Sequence, residues 1–567
     1  METRRAFLGK LIVAGSVLAA THTVQAGERN GLLGNLGKPS GSFVDLLRTP
    51  DLVMVYTDRG NRKLAPAGDG RWTSSDTEVT TIVRDGALHV ALASPHTAVQ
   101  RIHVRWHGDL TRCTLFLGDA WERGYGDLGW RPCIPERVMP WYMLSHDGHT
   151  THGYGVRTGA KALCFWQADA AGISLWADVK SGGAGVELGA RLLDVCAVVC
   201  RQGHGAETEF QAHQDFCRKM CPKPRLADHP IYGINDWYYA YGNNTASGIL
   251  EDGKRLVELS PQGGNRPYCV IDAGWQPSGG ADGGPWDIGN DRFPSMPGLA
   301  GQIKEIGARP GIWIRPLDGK DSKAPETWRL SRDRSLLDPT HPEVLNQVKT
   351  DMARLHAWGY QLIKHDFSTV DILGKWGFDM GADPAGSGWH FSSRNQTNAE
   401  IILDFYRTIR EVAGDAVVIG CNTIGHLTAG IFEISRIGDD TSGRVWERTR
   451  KMGVNSLAFR AAHQGTFYAA DGDCVGLTKD VPWELNRQWL DLLSRSGTPL
   501  FVSAQADAVG AAQKDALRKA YAHAAQHQPV AEPLDWKKTG TPAHWKLRGA
   551  EARFEWFSSE GASPFGV

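Results

Sequence analysis

The chain has 567 residues, 41% apolar and 22% charged, with a formal charge of −1. That length exceeds one ordinary domain and leaves room for a large barrel plus an accessory domain. The near-neutral balance argues against a nucleic-acid or anionic-membrane partner, and no apolar run beyond the N-terminus is long enough to span a bilayer.

Residues 1–26 read as a twin-arginine signal peptide. Thr3-Arg4-Arg5-Ala6-Phe7-Leu8-Gly9-Lys10 precedes the apolar stretch Leu11 to Ala20, and Val24-Gln25-Ala26 supplies a small-residue cleavage site. The implied location is periplasmic or secreted. Ten cysteines in an exported chain permit disulfides, yet pairs such as Cys196/Cys200 and Cys217/Cys221 lack CxxC spacing, so most read as buried free thiols.

From residue 27 to 228 the pattern is short and strand-like. Leu88–Ala93 and Ile102–Trp106 alternate between Gly, Asp and Ser turns, and helical periodicity is scarce before Glu207–Cys221. This predicts a β-sandwich, closed by the breaker Pro222-Lys223-Pro224.

Residues 229–528 change rhythm to strand–helix repeats. Candidate strands are 231–239, 268–275, 309–317, 360–367, 416–422, 433–440, 467–474 and 499–504. Amphipathic stretches lie between them at 246–259, 342–358, 399–412, 446–463 and 483–495. Eight such units suit a (β/α)8 TIM barrel, with an open doubly wound sheet as the alternative. The placement of polar residues favours the barrel. Asn235-Asp236-Trp237, Asp272, Arg315, Lys364 with Asp366, Cys421-Asn422, Arg436 with Asp439 and Asp440, and Asp471 with Asp473 all end apolar strands. Barrel enzymes build their sites at that face. The last stretch, 529–567, reads as a short C-terminal β segment, with β-like pieces such as Ala552–Phe557.

In Leu362–Phe367, alternation places Lys364 and Asp366 toward the barrel axis and His365 toward the helices. An ammonium beside a carboxylate keeps it ionised, as a nucleophile requires, although a structural ion pair would read the same way. Arg436-Ile437-Gly438-Asp439-Asp440-Thr441 can set a second carboxyl opposite Asp366. One of its acids, or Thr441, would equally serve as a helix cap. The 21 Trp suit sugar stacking, or simply an aromatic-rich core.

These stretches in this order resemble glycoside hydrolase clan D, which holds families 27, 31 and 36, with melibiase-like α-galactosidases prominent. Gly233–Trp237 resembles the first-strand motif whose aromatic lines the sugar pocket, here Trp237. Val270–Gln276 resembles the second-strand Asp-Asp-Gly-Trp motif, with Asp272 and Trp275. Gly311–Trp313 resembles the third strand, and Lys364-His365-Asp366 the nucleophile motif. Gly420-Cys421-Asn422 resembles the fifth-strand segment, Arg436–Asp440 the acid/base segment and Asp471–Cys474 the seventh-strand motif. The resemblance implies an exo-acting retaining α-glycosidase with Asp366 as nucleophile. It implies Asp439 as acid/base, although strand parity with Arg436 argues for Asp440. Trp237, Asp272, Trp275, Trp313, Arg315, Lys364, Cys421 and Arg436 are the implied substrate-binding residues.

Two positions depart from the galactosidase pattern. Ala273 stands where the motif has its second Asp, and Arg315 where family 36 often has an acid. A methyl cannot accept a sugar hydroxyl's hydrogen bond, and an Arg turned inward could bind a carboxylate substituent or balance Asp272. A related α-linked sugar, a glycosyl-transferring relative and a non-catalytic carbohydrate-binding protein are therefore kept beside the galactosidase reading. No Gly-rich nucleotide motif follows the first barrel strand, and His341, His356, His365 and His426 lack ligand spacing. Neither cofactor nor metal is expected. The expected partner is an oligosaccharide or polysaccharide; the sequence does not indicate the oligomeric state.

Overall fold

A computed structural model describes residues 41–320 and 322–563. The expected signal peptide lies outside the described residues. From Leu52 to Arg201 the chain forms two antiparallel sheets, of six and eight strands. The strands Leu52–Thr57 and Arg101–His107 alternate half-buried and buried residues, and their register sets Val53 against Val104 and Val55 against Ile102. Every second side chain thus enters one face of the core, as period-two patterning requires. By contrast Tyr142–His146 is buried along its whole length. The helix Glu209–Met220, started by a Thr208/Gln211 capping box, packs on the sheet beside it. An added Cβ at Gly153 of the neighbouring strand would lie 2.5 Å from the Phe216 ring, so glycine is what admits the helix so closely.

The second half of the chain builds one parallel sheet. Its strands are β1 (Tyr232–Asn235), β2 (Tyr268–Ile271), β3 (Arg309–Ile314), β4 (Leu362–His365), β5 (Val417–Gly420), β6 (Ile434–Arg436), β7 (Ala469–Asp471), β8 (Cys474–Leu477) and β9 (Leu500–Ala504). Their order is β7-β6-β5-β4-β3-β2-β1-β9-β8. The sheet's two outer strands, β7 and β8, are successive pieces of one segment, separated by Gly472 and Asp473, and Asp473 has a φ of +73°. All eight expected strands are present, the seventh in two pieces. Most are shorter than their apolar patterns because side-chain acceptors take the next backbone N–H groups. Asn235 accepts from the Trp237 N–H, Asp236 from that of Asp272, and Asp366 from that of Phe367.

Helices Ala246–Leu259, Pro342–Ala357, Asn398–Val412 and Trp483–Ser494 match the amphipathic stretches. The expected helix over 446–463 does not run through. Trp446–Thr449 passes into a π-helical turn at Arg450–Asn455, then Ser456–Arg460 and a 3-10 turn at Ala461–His463. Helices Met296–Glu305 and Ala511–Ala524 were not anticipated. The C-terminal β segment is a three-stranded antiparallel sheet of Glu532–Pro533, His544–Leu547 and Ala550–Arg553. Phe554–Phe557, expected to continue as strand, instead runs over helices Trp446–Thr449 and Trp483–Ser494, where the Trp446 indole N–H donates to the Trp556 carbonyl (2.8 Å) and the Glu555 N–H to Gln488 (2.8 Å).

Candidate active site

Residues from β2, β3 and β4 meet around Lys364 and Asp366. Lys364 donates to Asp272 (Nζ–Oδ2 2.6 Å), and Asn235 donates to the same oxygen at 2.6 Å. Asp272 in turn holds the Ala273 N–H (2.8 Å). Burial works against charge on Lys364, but Asp272 outweighs it and keeps the ammonium protonated. The Trp313 indole N–H donates to Asp366 Oδ2 at 3.1 Å, and the Phe367 N–H to Oδ1 at 2.8 Å. Burial pushes the Asp366 carboxyl up, yet Lys364 and Arg123 prevail and hold it below the ordinary carboxylate value. Phe367 has a φ of +62°, a conformation costing a non-glycine residue on the order of 1–3 kcal/mol. That turn brings its N–H onto the carboxylate, so backbone strain sits where the acid is aimed.

Across the sheet, Arg436 is buried among partners. Its guanidinium reaches Asp473 (2.5 Å), the Tyr238 hydroxyl (3.2 Å), Asp440 (3.4 Å), Asp471 (3.7 Å) and the Cys421 sulfur (3.7 Å). Burial pushes the Cys421 thiol up, so it is protonated. Asp439 is gripped on both oxygens, by Arg123 at 3.1 Å and Arg448 at 2.6 Å. Asp440 is held more loosely, at 3.4 Å from Arg436 and 3.8 Å from Arg123, and its side chain is 27% exposed against 16% for Asp439. Burial would raise the Asp440 carboxyl, but Arg436 and Arg123 bring it down to about 2. The Asp440 charge also acts on Asp366. The two acids singled out in the sequence are thus brought to one site with the nucleophile candidate.

Arg123 was not foreseen. It lies between the sandwich strands Leu115–Gly118 and Met139–Pro140, and its Trp-Glu-Arg-Gly-Tyr setting carries no helix or strand period. The backbone of Gly124 pairs with the end of β6: its N–H donates to Ile437 (2.8 Å), and its carbonyl accepts from Asp439 (2.9 Å). Glu122 is buried and accepts from Asn422 and, at 3.0 Å, from the Gly377 N–H. A sheet-edge segment has no signal in one sequence that says which distant strand end it reaches.

Other expected residues take different roles. Arg315 does not face Asp272. It forks onto Asp371 (3.0 and 2.8 Å), reaches Asp318 (3.2 Å) and lies 4.4 Å over the Phe367 ring. With the Ala281 carbonyl also accepting from it (3.1 Å), four of its five N–H donors face these partners, which corrects the idea of a carboxylate receptor there. Trp275 has no exposed surface and spends its indole N–H on the Trp313 carbonyl (2.8 Å). It supports Trp313 from behind instead of meeting a ligand. Trp237 is half-buried beside Tyr241, with ring centroids 5.7 Å apart. Ala273 is buried, and its N–H donates to the Asp272 carboxylate. His365 sits outside the site among Phe405, Tyr406 and Phe432, as alternation requires, and burial lowers its pKa to about 3. Trp106, Trp141, Trp166, Trp275, Trp313, Trp489, Trp545 and Trp556 are all fully buried, so Trp richness here serves packing first.

All ten cysteines are free thiols, and nine are buried. Among the described residues, one group combines metal-ligating atoms within 4.8 Å: His213, Cys217 and His463. Sequence spacing did not reveal it, because His463 joins from a distant turn. Tyr142 Oη hydrogen-bonds both imidazoles at 2.8 Å, and none of these residues belongs to the candidate active site.

No protein-family model matches the chain. Over 227 residues it is 25% identical to α-galactosidase AgaA of Geobacillus stearothermophilus, a match spanning 38% of this chain and 30% of that protein. It therefore spans less than a third of that curated relative's length. Among solved structures, the α-galactosidase TtGalA from Thermus thermophilus, in complex with p-nitrophenyl α-D-galactopyranoside, superposes with a TM-score of 0.57. The identity is 16%, covering 88% of this chain and 98% of that one. The GH36 α-galactosidase AgaA superposes with a TM-score of 0.52 at 13% identity, covering 83% and 74%. The GH36 α-galactosidase AgaB from the same organism gives 0.53 at 15%, covering 84% and 74%. These are likenesses of fold, and they fall in the group that the strand-end motifs resemble.

Proposed function

We propose that this protein is a retaining exo-α-glycosidase of the α-galactosidase type, working from a (β/α)8 barrel closed through its split seventh strand. The observation that carries the reading is one anionic carboxylate, Asp366, fixed by the Trp313 indole N–H and the charge of Lys364, with the acid pair Asp439/Asp440 at the same end of the sheet. In the first step Asp366 attacks the anomeric carbon. The bond to the leaving oxygen breaks, and an acid of the pair gives that oxygen its proton. Water then attacks the same carbon, the acid's conjugate base takes the water's proton, and the ester to Asp366 breaks. Geometry favours Asp440 over Asp439 as that acid, because both Asp439 oxygens are already engaged by arginines. Since the arginines hold Asp440 ionised in the free protein, its proton must be taken up as the substrate binds and shields it from them.

Lys364, Asp272, Trp237 and Cys421 are read as contacts to the bound sugar. The methyl of Ala273 favours a glycone that does not need a second carboxylate beside Asp272, such as a sugar lacking one galactose hydroxyl. We further propose, on the twin-arginine pattern alone, that the enzyme works outside the cytoplasm. No helix among the described residues is long and apolar enough to cross a membrane.

A panel of aryl α- and β-glycosides, spanning galactose, glucose, arabinopyranose and uronic acids, tests the reading. One α-glycoside should be cleaved, with the activity lost by roughly 10⁴-fold or more in Asp366→Ala. Retention of activity in that variant would overturn the assignment.

A further inference from the structure

Two backbone hydrogen bonds tie the segment carrying Arg123 to the segment carrying the acid pair. The Gly124 N–H donates to Ile437, and the Gly124 carbonyl accepts from the Asp439 N–H. Arg460 reinforces the junction, donating to Ile437 (3.0 Å) and Ala120 (3.0 Å) and pairing with Asp119 (2.6 Å). Joining the two halves of the molecule therefore does not require a charge at position 123. Yet a guanidinium is buried there, its carbon 5.7 Å from the Tyr125 ring centroid and 5.8 Å from that of Trp376, with Nη2 3.1 Å from Asp439 and Nη1 3.8 Å from Asp440. Burying a cation costs several kcal/mol unless well-placed partners offset it. Its partners are the two acids, the Tyr125 hydroxyl at 3.2 Å and the charge of the buried Glu122, and of these only the acids lie at the end of β6. With Arg448 on its other oxygen, Asp439 is held between two guanidinium groups, one to each oxygen, while its neighbour is held at longer range.

We infer that Arg123 is a positioning residue for the acid half of the reaction, clamping Asp439 so that the adjoining Asp440 carboxyl is presented to the leaving-group oxygen. This rests on the glycosidase reading above. The sandwich half then contributes to chemistry as well as to packing. Arg123 also belongs to the charged and titratable surroundings of Asp440, with Arg436 and Arg448 on the same side, Lys364 and Asp366 on β4 and just beyond, and Tyr238 after β1. Removing one cation from that set lets the acid keep its proton to higher pH.

The test compares two α-glycosides of one sugar in wild type, Arg123→Gln and Arg123→Lys. A dinitrophenyl glycoside leaves without help, whereas an alkyl glycoside needs a proton on its leaving oxygen. For Arg123→Gln we expect kcat/KM on the alkyl glycoside to fall about 10²-fold, the lower end for lost acid catalysis, and on the dinitrophenyl glycoside by less than about 10-fold. Azide, which attacks the glycosyl-enzyme without a base, should raise kcat on the dinitrophenyl glycoside, where breakdown of the glycosyl-enzyme limits turnover, and give glycosyl azide. The alkaline limb of the alkyl-glycoside profile should move to higher pH. Arg123→Lys, which keeps a cation but not the fork, should fall between and guards against a variant that fails to fold. Equal losses on both substrates without azide rescue, or no loss on either, would overturn the role of Arg123 and leave the glycosidase reading intact. A folded wild type that cleaves neither substrate in the sugar panel would overturn both.

Discussion

Arg315 illustrates how a residue's partners override its position. At the end of a parallel strand it reads as a ligand-facing cation, but Asp371 and Asp318 occupy its fork. Burial pushes the Asp371 carboxyl up to about 6, against the pull of Arg315. Arg315→Met would leave two buried acids short of their cation, and we expect a stability loss of about 3–5 kcal/mol in urea titrations. The ratio of uronide to neutral-glycoside hydrolysis should not change, and a lost uronide preference would restore the receptor role. The acid pair gives a second prediction at this scale. Asp440→Asn should lose about 10²–10⁴-fold on glycosides with poor leaving groups, and its turnover of an activated aryl glycoside, limited by breakdown of the glycosyl-enzyme, should be rescued by azide. Asp439→Asn should lose activity without rescue. The opposite pattern would return the acid/base to Asp439.

At the scale of elements, the acid pair depends on how closely three chain segments can approach. An added Cβ at Gly438 would lie 2.3 Å from the Met452 carbonyl oxygen and 2.6 Å from Ser456 Oγ. One at Gly124 would meet the same Ser456 oxygen at 2.7 Å. Met452 belongs to the π-helical turn Arg450–Asn455, whose last residue, Asn455, exchanges hydrogen bonds with the backbone of Leu128 (3.2 and 2.9 Å). The widened turn and two facing glycines thus let the sandwich segment lie against the end of β6. Such insertions recur at functional sites. Gly438→Ala should destabilise by about 1–3 kcal/mol through overpacking. It should also depress kcat/KM on poor leaving groups more than on activated ones, because the carbonyl cannot yield without moving Asp439. Equal kinetics on both substrates would separate the glycine from the acid pair.

At the scale of the whole molecule, stability and pH are linked through the buried acids. Asp236 lies beneath Asp272, and burial together with the Asp272 charge pushes its carboxyl up to about 8. An acid raised in the folded state holds a proton that the unfolded chain releases near the ordinary carboxylate value. Its contribution to stability is therefore full in acid and is lost as pH rises from about 4 to about 8. Acids lowered on folding, Asp366 and Asp440 among them, act with the opposite sign. Comparing urea midpoints at pH 5 and pH 8 isolates the Asp236 share. Asp236→Asn should lose less stability over that interval than wild type, and parallel behaviour would place the proton elsewhere.

Much of this was legible along the chain because it is periodic. Strands that alternate or run apolar, helices with a 3.6-residue stripe, and carboxylates closing successive apolar strands are properties of neighbours in sequence, and they located eight strands and the pair Lys364/Asp366. The Trp residues were less informative, since indole suits a core as well as a sugar face and only burial tells the two apart. The rest depended on contacts between residues far apart in number. Arg123 lies more than 300 positions from the acids it grips, the partners of Arg315 follow from loop conformation, and the choice between Asp439 and Asp440 turns on which oxygens two arginines already hold. Local pattern determined the elements and the chemistry available at their ends. Only the tertiary structure decided which charges face one another, because electrostatic and hydrogen-bond partners are set by distance in space.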